Sequence, residues 1–135
     1  MEIERTTLIQ TTFAQIDRLV QPTSLAQVGG FRPPDRFVTS SFSGHFVGLP
    51  DEDWPIYAGL PMIPLIQIRI DELPHVPVQL SQVAVLTVFM AADMLPQPDA
   101  LNGQGWLLRT YPSSEQLKLL PQPTAAIPIK AFPVR

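Results

Sequence analysis

The chain has 135 residues and a mass of 15.0 kDa, which suits one domain. Hydrophobic residues make up 45% and charged residues only 16%, and this balance excludes an intrinsically disordered chain. The sixteen prolines argue against a helical bundle, because proline inside a helix costs about 3 kcal/mol. The net charge is −3 and the nine basic residues form no cluster, so we expect no nucleic-acid-binding face.

Composition also bounds the compartment and the chemistry. The sequence has no cysteine, which excludes disulfides, thiolate nucleophiles and Cys-based zinc sites. The first residues, Met1–Arg5, lack the basic-then-apolar order of a signal peptide. The apolar run from Val83 to Ala92 is about half as long as a membrane span. We therefore expect a cytoplasmic protein with no membrane segment, no metal and no cofactor.

Residues 3–20 carry the clearest helical signal. Apolar side chains recur on one helix face, at Leu8, Ile9, Phe13, Ile16 and Val20. Pro22 ends the pattern, because the residue before a proline is pushed out of the helical region. The segment 1–21 thus predicts one amphipathic helix. We expect it to pack on the domain's own core, and docking to a partner protein is the alternative.

The rest of the chain predicts short strands. Residues 22–36, rich in glycine and proline, are expected to form a loop. Within residues 37–135 and at their border, β-prone runs occur at 36–38, 45–47, 63–70, 83–90, 106–111 and 127–132. Prolines in the last run restrict it to a sheet edge or leave it unpaired. The run 83–90 is apolar on both faces, which predicts a central strand covered on both sides.

No helical periods separate these strands. This pattern predicts a single α+β domain over residues 1–135, mainly β, with an antiparallel or mixed sheet and one N-terminal amphipathic helix. A glycine fingerprint for nucleotide binding is absent from the sequence.

Few residues suggest catalysis. Only His45 and His75 could act as imidazole bases, and the sequence contains no nucleophile-elbow motif. A small hydrolase-like enzyme that uses His45 with Asp51 or Asp53 is a hypothesis supported only by the closeness of these residues in the sequence. The acidic run 51–53 lacks the ligand spacing of a calcium loop, so we interpret it as a solvated turn.

A proline-stiffened loop, residues 51–57, carries Trp54 and Tyr57. Such aromatic residues are enriched at binding sites, and an exposed Trp54 beside carboxylates could stack on a ligand; half-buried packing is the favoured alternative. Gln67 lies in an apolar strand, so it faces solvent, bonds a nearby backbone turn or lines a pocket. The candidate binding residues are His45, Asp51, Asp53, Trp54, Tyr57 and Gln67.

The order of short motifs between residues 36 and 90 resembles a known family. The motifs are Ser43–Gly44, Leu49–Pro50, Trp54–Pro55, Pro61–Met62, Leu65–Ile66–Gln67–Ile68, Leu73–Pro74 and Leu86–Thr87–Val88–Phe89. This order is similar to that of the YwqG-like family of bacterial proteins, whose function is unknown. The resemblance implies a mainly antiparallel α+β fold with no established activity or cofactor.

The resemblance has two further implications. Some relatives occur in toxin–immunity neighbourhoods, which implies protein binding. Family members are longer, so the chain is either a short divergent member or the N-terminal half of a longer two-lobed domain. We therefore expect a non-catalytic binding or protein-interaction domain with the loop 51–57 as its surface. The hydrolase-like enzyme is the alternative, and self-association through an exposed strand edge is a third hypothesis.

Overall fold

The computed structural model describes residues 1–27 and 38–123, together with the backbone of a short strand near the C-terminus. One N-terminal helix precedes a series of strands. In chain order the elements are α1 (Glu2–Leu19), β1 (Ser41–Phe42), β2 (Val47–Gly48), β3 (Ile56–Tyr57), β4 (Leu60–Pro61), β5 (Ile63–Arg69), β6 (Val85–Met90), β7 (Trp106–Tyr111), β8 (Lys118–Leu119) and β9 (Phe132–Pro133). Two single-turn 3₁₀ helices, Ile70–Glu72 and Val78–Leu80, connect β5 to β6.

A five-stranded sheet in the order β7-β6-β5-β1-β9 forms the centre of the fold. Its strand pairs are all antiparallel. Two smaller antiparallel pairs join β2 to β8 and β3 to β4. The prediction of an α+β fold, mainly β with one N-terminal helix, is confirmed.

The long strands lie close to their predicted positions. β7 has the predicted bounds, β5 ends one residue earlier than predicted, and β6 begins two residues later. Of the predicted strand 45–47, only Val47 is in a strand, and Val38 lies in a bend. The rest of the predicted strand 36–38, and most of the loop 22–36, lie outside the described residues. So does the run 127–132, except for Phe132, which opens the edge strand β9.

The main core lies on the inner face of the sheet. Phe89 of β6 is completely buried and makes edge-to-face contacts with Phe46 and Trp54, at ring-centroid distances of 5.3 and 5.4 Å. Met62 and Leu120 complete this cluster. Each aromatic pair contributes about 0.5–1.5 kcal/mol beyond the area it buries. The cluster therefore holds the segment 46–62 against the sheet.

A row of polar side chains crosses the same face. The register pairs Ser41 with Gln67, Gln67 with Thr87, and Thr87 with Arg109. Directly paired residues point to the same face of a sheet, and the first three of these residues are buried. A slip of one residue would move the row to the opposite face. The row therefore specifies the strand register.

The opposite face of the sheet is apolar and only partly covered. Its half-buried side chains are Ile66, Ile68, Val88, Met90 and Leu108. β6 is central, as the sequence predicts. On its outer face Leu86 is buried and Val88 and Met90 are half-buried, so this face is covered less completely than the inner one.

The helix α1 does not cover the core. None of its residues is buried, and its apolar face is open, with Phe13 62% and Ile16 51% exposed. The prediction that it packs on its own domain is therefore wrong. The segment 46–62 fills the inner face of the sheet and leaves no room there for the helix, and no residue of α1 is buried against the partly covered outer face either. No helix in the described part of the chain is both long and apolar enough to cross a bilayer.

Candidate binding groove

Glu52 fastens the acidic turn to the sheet. Its Oε1 accepts a hydrogen bond from the Leu49 backbone N–H at 2.7 Å, and its Oε2 lies 3.4 Å from Nε of Arg109. Arg109 also donates to the backbone carbonyl of Asp53 at 3.2 Å and lies over the Phe89 ring, 5.8 Å from its centroid. Both charged side chains of the pair are mostly buried. The middle carboxylate of the turn thus has an internal, structural role.

Three of the predicted site residues lie at the surface and do not form a common site. His45, Asp51 and Asp53 are exposed. Among the described residues, no hydrogen bond or ion pair joins His45 to either carboxylate. No group of three His, Asp or Glu side chains in residues 1–27 and 38–123 is arranged to hold a metal ion. For Asp51 and Asp53, the interpretation as a solvated turn agrees with their exposure.

Trp54 is a core residue. Its side chain is 7% exposed, and its Nε1 donates a hydrogen bond to the Met62 carbonyl at 2.9 Å. The indole thus has both its ring face and its N–H occupied by the protein. The hypothesis of an exposed tryptophan that stacks on a ligand is wrong, and the packing alternative describes the structure.

Gln67 is a buried residue of β5 whose side chain forms hydrogen bonds to two neighbouring segments. It is 1% exposed, and its Oε1 accepts from the Val47 backbone N–H at 3.0 Å. Its Nε2 donates to the Thr39 carbonyl at 2.9 Å. Of the three alternatives from the sequence, the structure shows the second, an amide that bonds nearby backbone.

A buried hydroxyl pair lies beside Glu52 and was not anticipated from the sequence. The Tyr111 hydroxyl and Thr87 Oγ1 are buried, and within the described residues neither makes a hydrogen bond of good geometry, although the two side chains and Glu52 lie close together. Burial raises the pKa of Tyr111 to about 12, and the nearby Glu52 carboxylate adds to the shift. In the sequence, only the position of Thr87 in the middle of an apolar strand could have indicated this buried hydroxyl pair.

Tyr57 lines a surface groove, which we call the Tyr57 groove. The groove has a volume of about 410 Å³ and lies between the β3–β4 hairpin and the residues that precede β7. Its main lining residues are Tyr57, Met94, Pro96, Gln97, Asp99 and Gln104. Of the candidate residues from the sequence, only Tyr57 reaches it.

The hairpin that carries Tyr57 turns through two residues with positive φ. Ala58 has φ 50° and Gly59 has φ 79°, the backbone of a two-residue type I′ turn. This turn pairs Tyr57 with Leu60 and Ile56 with Pro61. The tight turn fixes the direction in which the tyrosine leaves the hairpin.

The opposite wall, residues 94–105, is held by hydrogen bonds despite its lack of regular structure. Trp106 Nε1 donates to the Ala100 carbonyl at 2.9 Å, and the Leu101 N–H donates to Gln104 Oε1 at 3.0 Å. Gly105 adopts φ +85°, and a Cβ there would lie 3.4 Å from Cβ of Pro96. This wall is therefore preformed, which lowers the entropy lost on binding.

The lining combines apolar surface with a few polar groups. Tyr57, Met94 and Pro96 supply the apolar part, and Asp99 supplies one carboxylate. The two segments that line the groove, the β3–β4 hairpin and residues 94–105, also carry large exposed apolar side chains. These are Ile56, Leu60, Met94, Leu95 and Leu101. Clusters of exposed apolar residues are characteristic of interaction surfaces. The arrangement can bind an apolar group and orient it through polar contacts, as ligand sites in proteins do.

Comparisons with protein-family models, with curated proteins and with solved structures found no match for this chain. The functional assignment therefore starts from the chemistry of the groove.

Proposed function

We propose that this protein is a non-catalytic binding domain that holds a segment of a protein partner in the Tyr57 groove. The observation that carries the proposal is a preformed groove of about 410 Å³ with an aromatic and a methionine in its lining. Ligand pockets commonly have volumes of about 300–1,000 Å³. Tyrosine is enriched at binding hot spots, and methionine adapts its shape to apolar groups.

The lining also indicates the chemistry of the partner. Asp99 is an acceptor beside apolar surface, while Gln97 and Gln104 offer both donors and acceptors. A segment that places an apolar side chain next to an arginine or lysine would satisfy both parts. The net charge of −3 favours such a cationic partner through long-range attraction.

The other functional expectations belong to the same proposal. We also propose membership of the YwqG-like family, which implies no established activity and is compatible with a binding role. We also propose a cytoplasmic location; the absence of cysteine fits a reducing compartment and would equally fit a secreted protein that needs no disulfides. The hydrolase-like alternative receives no support from the described contacts, because His45 meets neither Asp51 nor Asp53.

The proposal can be tested by NMR titration of ¹⁵N-labelled protein. The probes are two capped dipeptides, acetyl-Leu-Arg-amide and acetyl-Leu-Glu-amide. We expect the arginine peptide to shift the backbone amides of residues 94–105, with a dissociation constant of about 1 mM, typical of a ligand worth some 4 kcal/mol. The glutamate peptide should bind more weakly, because its carboxylate faces Asp99.

Matched variants locate the site. Asp99→Asn should weaken binding of the arginine peptide, and Tyr57→Ala should weaken binding of both peptides. Asp51→Asn is the control, because Asp51 is an exposed carboxylate that does not line the groove. The proposal is wrong if no groove amide shifts at saturating peptide, or if Asp51→Asn has the same effect as Asp99→Asn.

A further inference from the structure

The five-stranded sheet has one long edge strand, β7. The sheet ends at β7 on one side and at β9 on the other. β9 has two residues, one of which is a proline, and a proline cannot donate a hydrogen bond to a further strand. β7 has six residues, rich in apolar and aromatic side chains and without proline or lysine. An edge strand of this composition is prone to pair with a strand of another chain.

The strand register shows which backbone groups of β7 face away from the sheet. The Ala91 N–H, at the end of β6, donates to the Gly105 carbonyl at 2.8 Å. Backbone groups alternate between the two sides of a strand, so every second residue from Gly105 onward bonds to β6. The residues between them direct their N–H and C=O groups outward, where an added strand would bond: Trp106, Leu108 and Thr110.

A short turn covers most of this edge. The Asn102 side chain makes two hydrogen bonds with Leu108, since its Nδ2 donates to the carbonyl at 3.1 Å and its Oδ1 accepts from the N–H at 2.9 Å. The Gly103 N–H donates to the Trp106 carbonyl at 2.8 Å. The Asn102 amide thus bonds Leu108 as a backbone unit of a neighbouring strand would. We call residues 101–104 the edge cap.

The edge cap is held in shape by its own turn. The Gln104 N–H donates to the Leu101 carbonyl at 2.9 Å, and Gly103 has a φ of +97°. A type II turn needs a positive φ at its third residue, where glycine is the usual choice. A Cβ at Gly103 would have no atom within 4 Å. A substitution there would therefore act on the backbone of the turn and not through a clash.

We propose that β7 is a strand-addition surface that the edge cap keeps closed, and that its partner when the cap opens is β7 of a second copy. The outward-facing residues lie symmetrically about Leu108. In an antiparallel pair centred there, Trp106 of one copy pairs with Thr110 of the other, so the outward backbone groups of both strands are bonded. Arg109 opposes Leu107 in this register, so like charges do not meet across the pair.

This surface is distinct from the Tyr57 groove. Within the described structure, no residue of β7 lines that groove. The inference therefore goes beyond the proposed function, and self-association is measured separately from peptide binding. It also gives the hypothesis of self-association through a strand edge a specific edge and a specific block.

Opening the edge cap in the full chain tests the proposal. The variant Asn102→Ala/Gly103→Val removes both side-chain bonds to Leu108 and strains the turn, because valine disfavours a positive φ. In sedimentation equilibrium from micromolar to submillimolar concentrations, its mass should rise above that of the wild type, towards twice 15.0 kDa. Gly59→Val is the matched control, because Gly59 also has a positive φ, +79°, and no atom within 4 Å of a Cβ, but lies in the β3–β4 turn. It should keep the wild-type mass.

Hydrogen exchange followed by NMR locates the contact. In the dilute variant the Leu108 amide should exchange about tenfold faster than in the wild type, because it has lost its acceptor. At high concentration the Leu108 and Thr110 amides of the variant should become protected together. In the wild type the exchange of the Thr110 amide should not depend on concentration.

Several results would overturn the proposal. These are a variant that keeps the wild-type mass, a Gly59→Val protein that associates as strongly, and association that leaves the Leu108 and Thr110 amides unprotected. Protection of Thr110 in the wild type at rising concentration would show that the edge is not closed. If the double variant does not fold, Asn102→Ala alone, which leaves the turn glycine in place, is judged by the same two amides.

Discussion

Replacing Gln67 by leucine removes a buried amide whose two ends both hold backbone groups. The substitution keeps most of the side-chain volume but leaves the Val47 N–H and the Thr39 carbonyl without this partner. Val47 is completely buried, so its N–H cannot turn to water. A buried donor left unpaired costs about 1–3 kcal/mol, and the half-buried Thr39 carbonyl adds a smaller amount.

The expected loss is therefore about 2–4 kcal/mol, a large part of the stability of a small domain. Urea unfolding followed by tryptophan fluorescence measures it, since Trp54 lies in the core. In thermal unfolding the same loss corresponds to roughly 10 °C for a chain of this size.

Thr87→Val is the matched control, one strand away. Thr87 is paired with Gln67 in the register and is also completely buried, but among the described residues its hydroxyl makes no hydrogen bond of good geometry and lies only near the Tyr111 hydroxyl. Removing such a hydroxyl should leave stability unchanged or raise it by about 1 kcal/mol. The reasoning is refuted if Gln67→Leu unfolds with the wild type, or if Thr87→Val loses as much stability as Gln67→Leu.

Three further substitutions test other parts of the structure. The neutral Tyr111 phenol has its pKa raised to about 12, above the unfolded value of about 10, so its stabilising effect is complete below pH 10 and is lost as the pH rises towards 12. Tyr111→Phe should remove about 1.4 kcal/mol of alkaline loss between pH 8 and pH 11, measured from the urea midpoints at the two pH values; equal pH dependence in both proteins would contradict the shift. Trp54→Phe keeps a ring in the core but loses the bond to the Met62 carbonyl, so it should lower stability by about 1–2 kcal/mol while groove titrations stay unchanged; altered peptide affinity would reopen Trp54 as a site residue. Ala58 has a positive φ of 50°, which asparagine tolerates better, so Ala58→Asn should raise the unfolding free energy by about 0.5–1 kcal/mol and Ala58→Val should lower it; the reverse order would exclude the type I′ turn.

The hydrophobic pattern predicted the long strands because each carries enough residues to show a period. β5, β6 and β7 have six or seven residues each. The two-residue strand β1 has no period, and Ser41, with Ser40 and Ser43 beside the strand, suggests a turn. It becomes a strand through distant contacts, such as the hydrogen bond from the Arg69 N–H to Ser40 Oγ at 3.0 Å. Such contacts depend on register, which the local sequence does not contain.

The position of α1 relative to the sheet could not be predicted from the sequence for a similar reason. Its periodicity predicts a helix correctly within a residue or two, but periodicity does not say what the apolar face touches. The inner face of the sheet is filled by Phe46, Trp54 and Met62. Whether a sheet has room for a helix depends on what the rest of the chain has already placed there.

The candidate site was predicted only in part. Tyr57 was identified by residue type and by its proline-stiffened loop, but the facing wall comes from residues 94–105, which carry no motif. The link between Glu52 and Arg109 spans 57 positions, from residue 52 to residue 109. It arises because β7 places Arg109 beside the acidic turn, a consequence of the register between β6 and β7.

The motifs Trp54–Pro55 and Leu65–Ile66–Gln67–Ile68 have a structural role in this protein. Trp54 bonds the Met62 carbonyl, and Gln67 bonds the Val47 N–H, so both tie the segment 46–62 to the sheet. A residue with its polar atoms bound to buried backbone cannot also recognise a ligand without losing that bond. A pattern of this kind therefore specifies how the chain folds, and proteins that share it need not share a partner. In the proposed binding role, specificity is left to surfaces outside the motifs, here the wall 94–105. This wall can vary independently of the core, because in the described structure it supplies no buried contact to the Phe89 cluster.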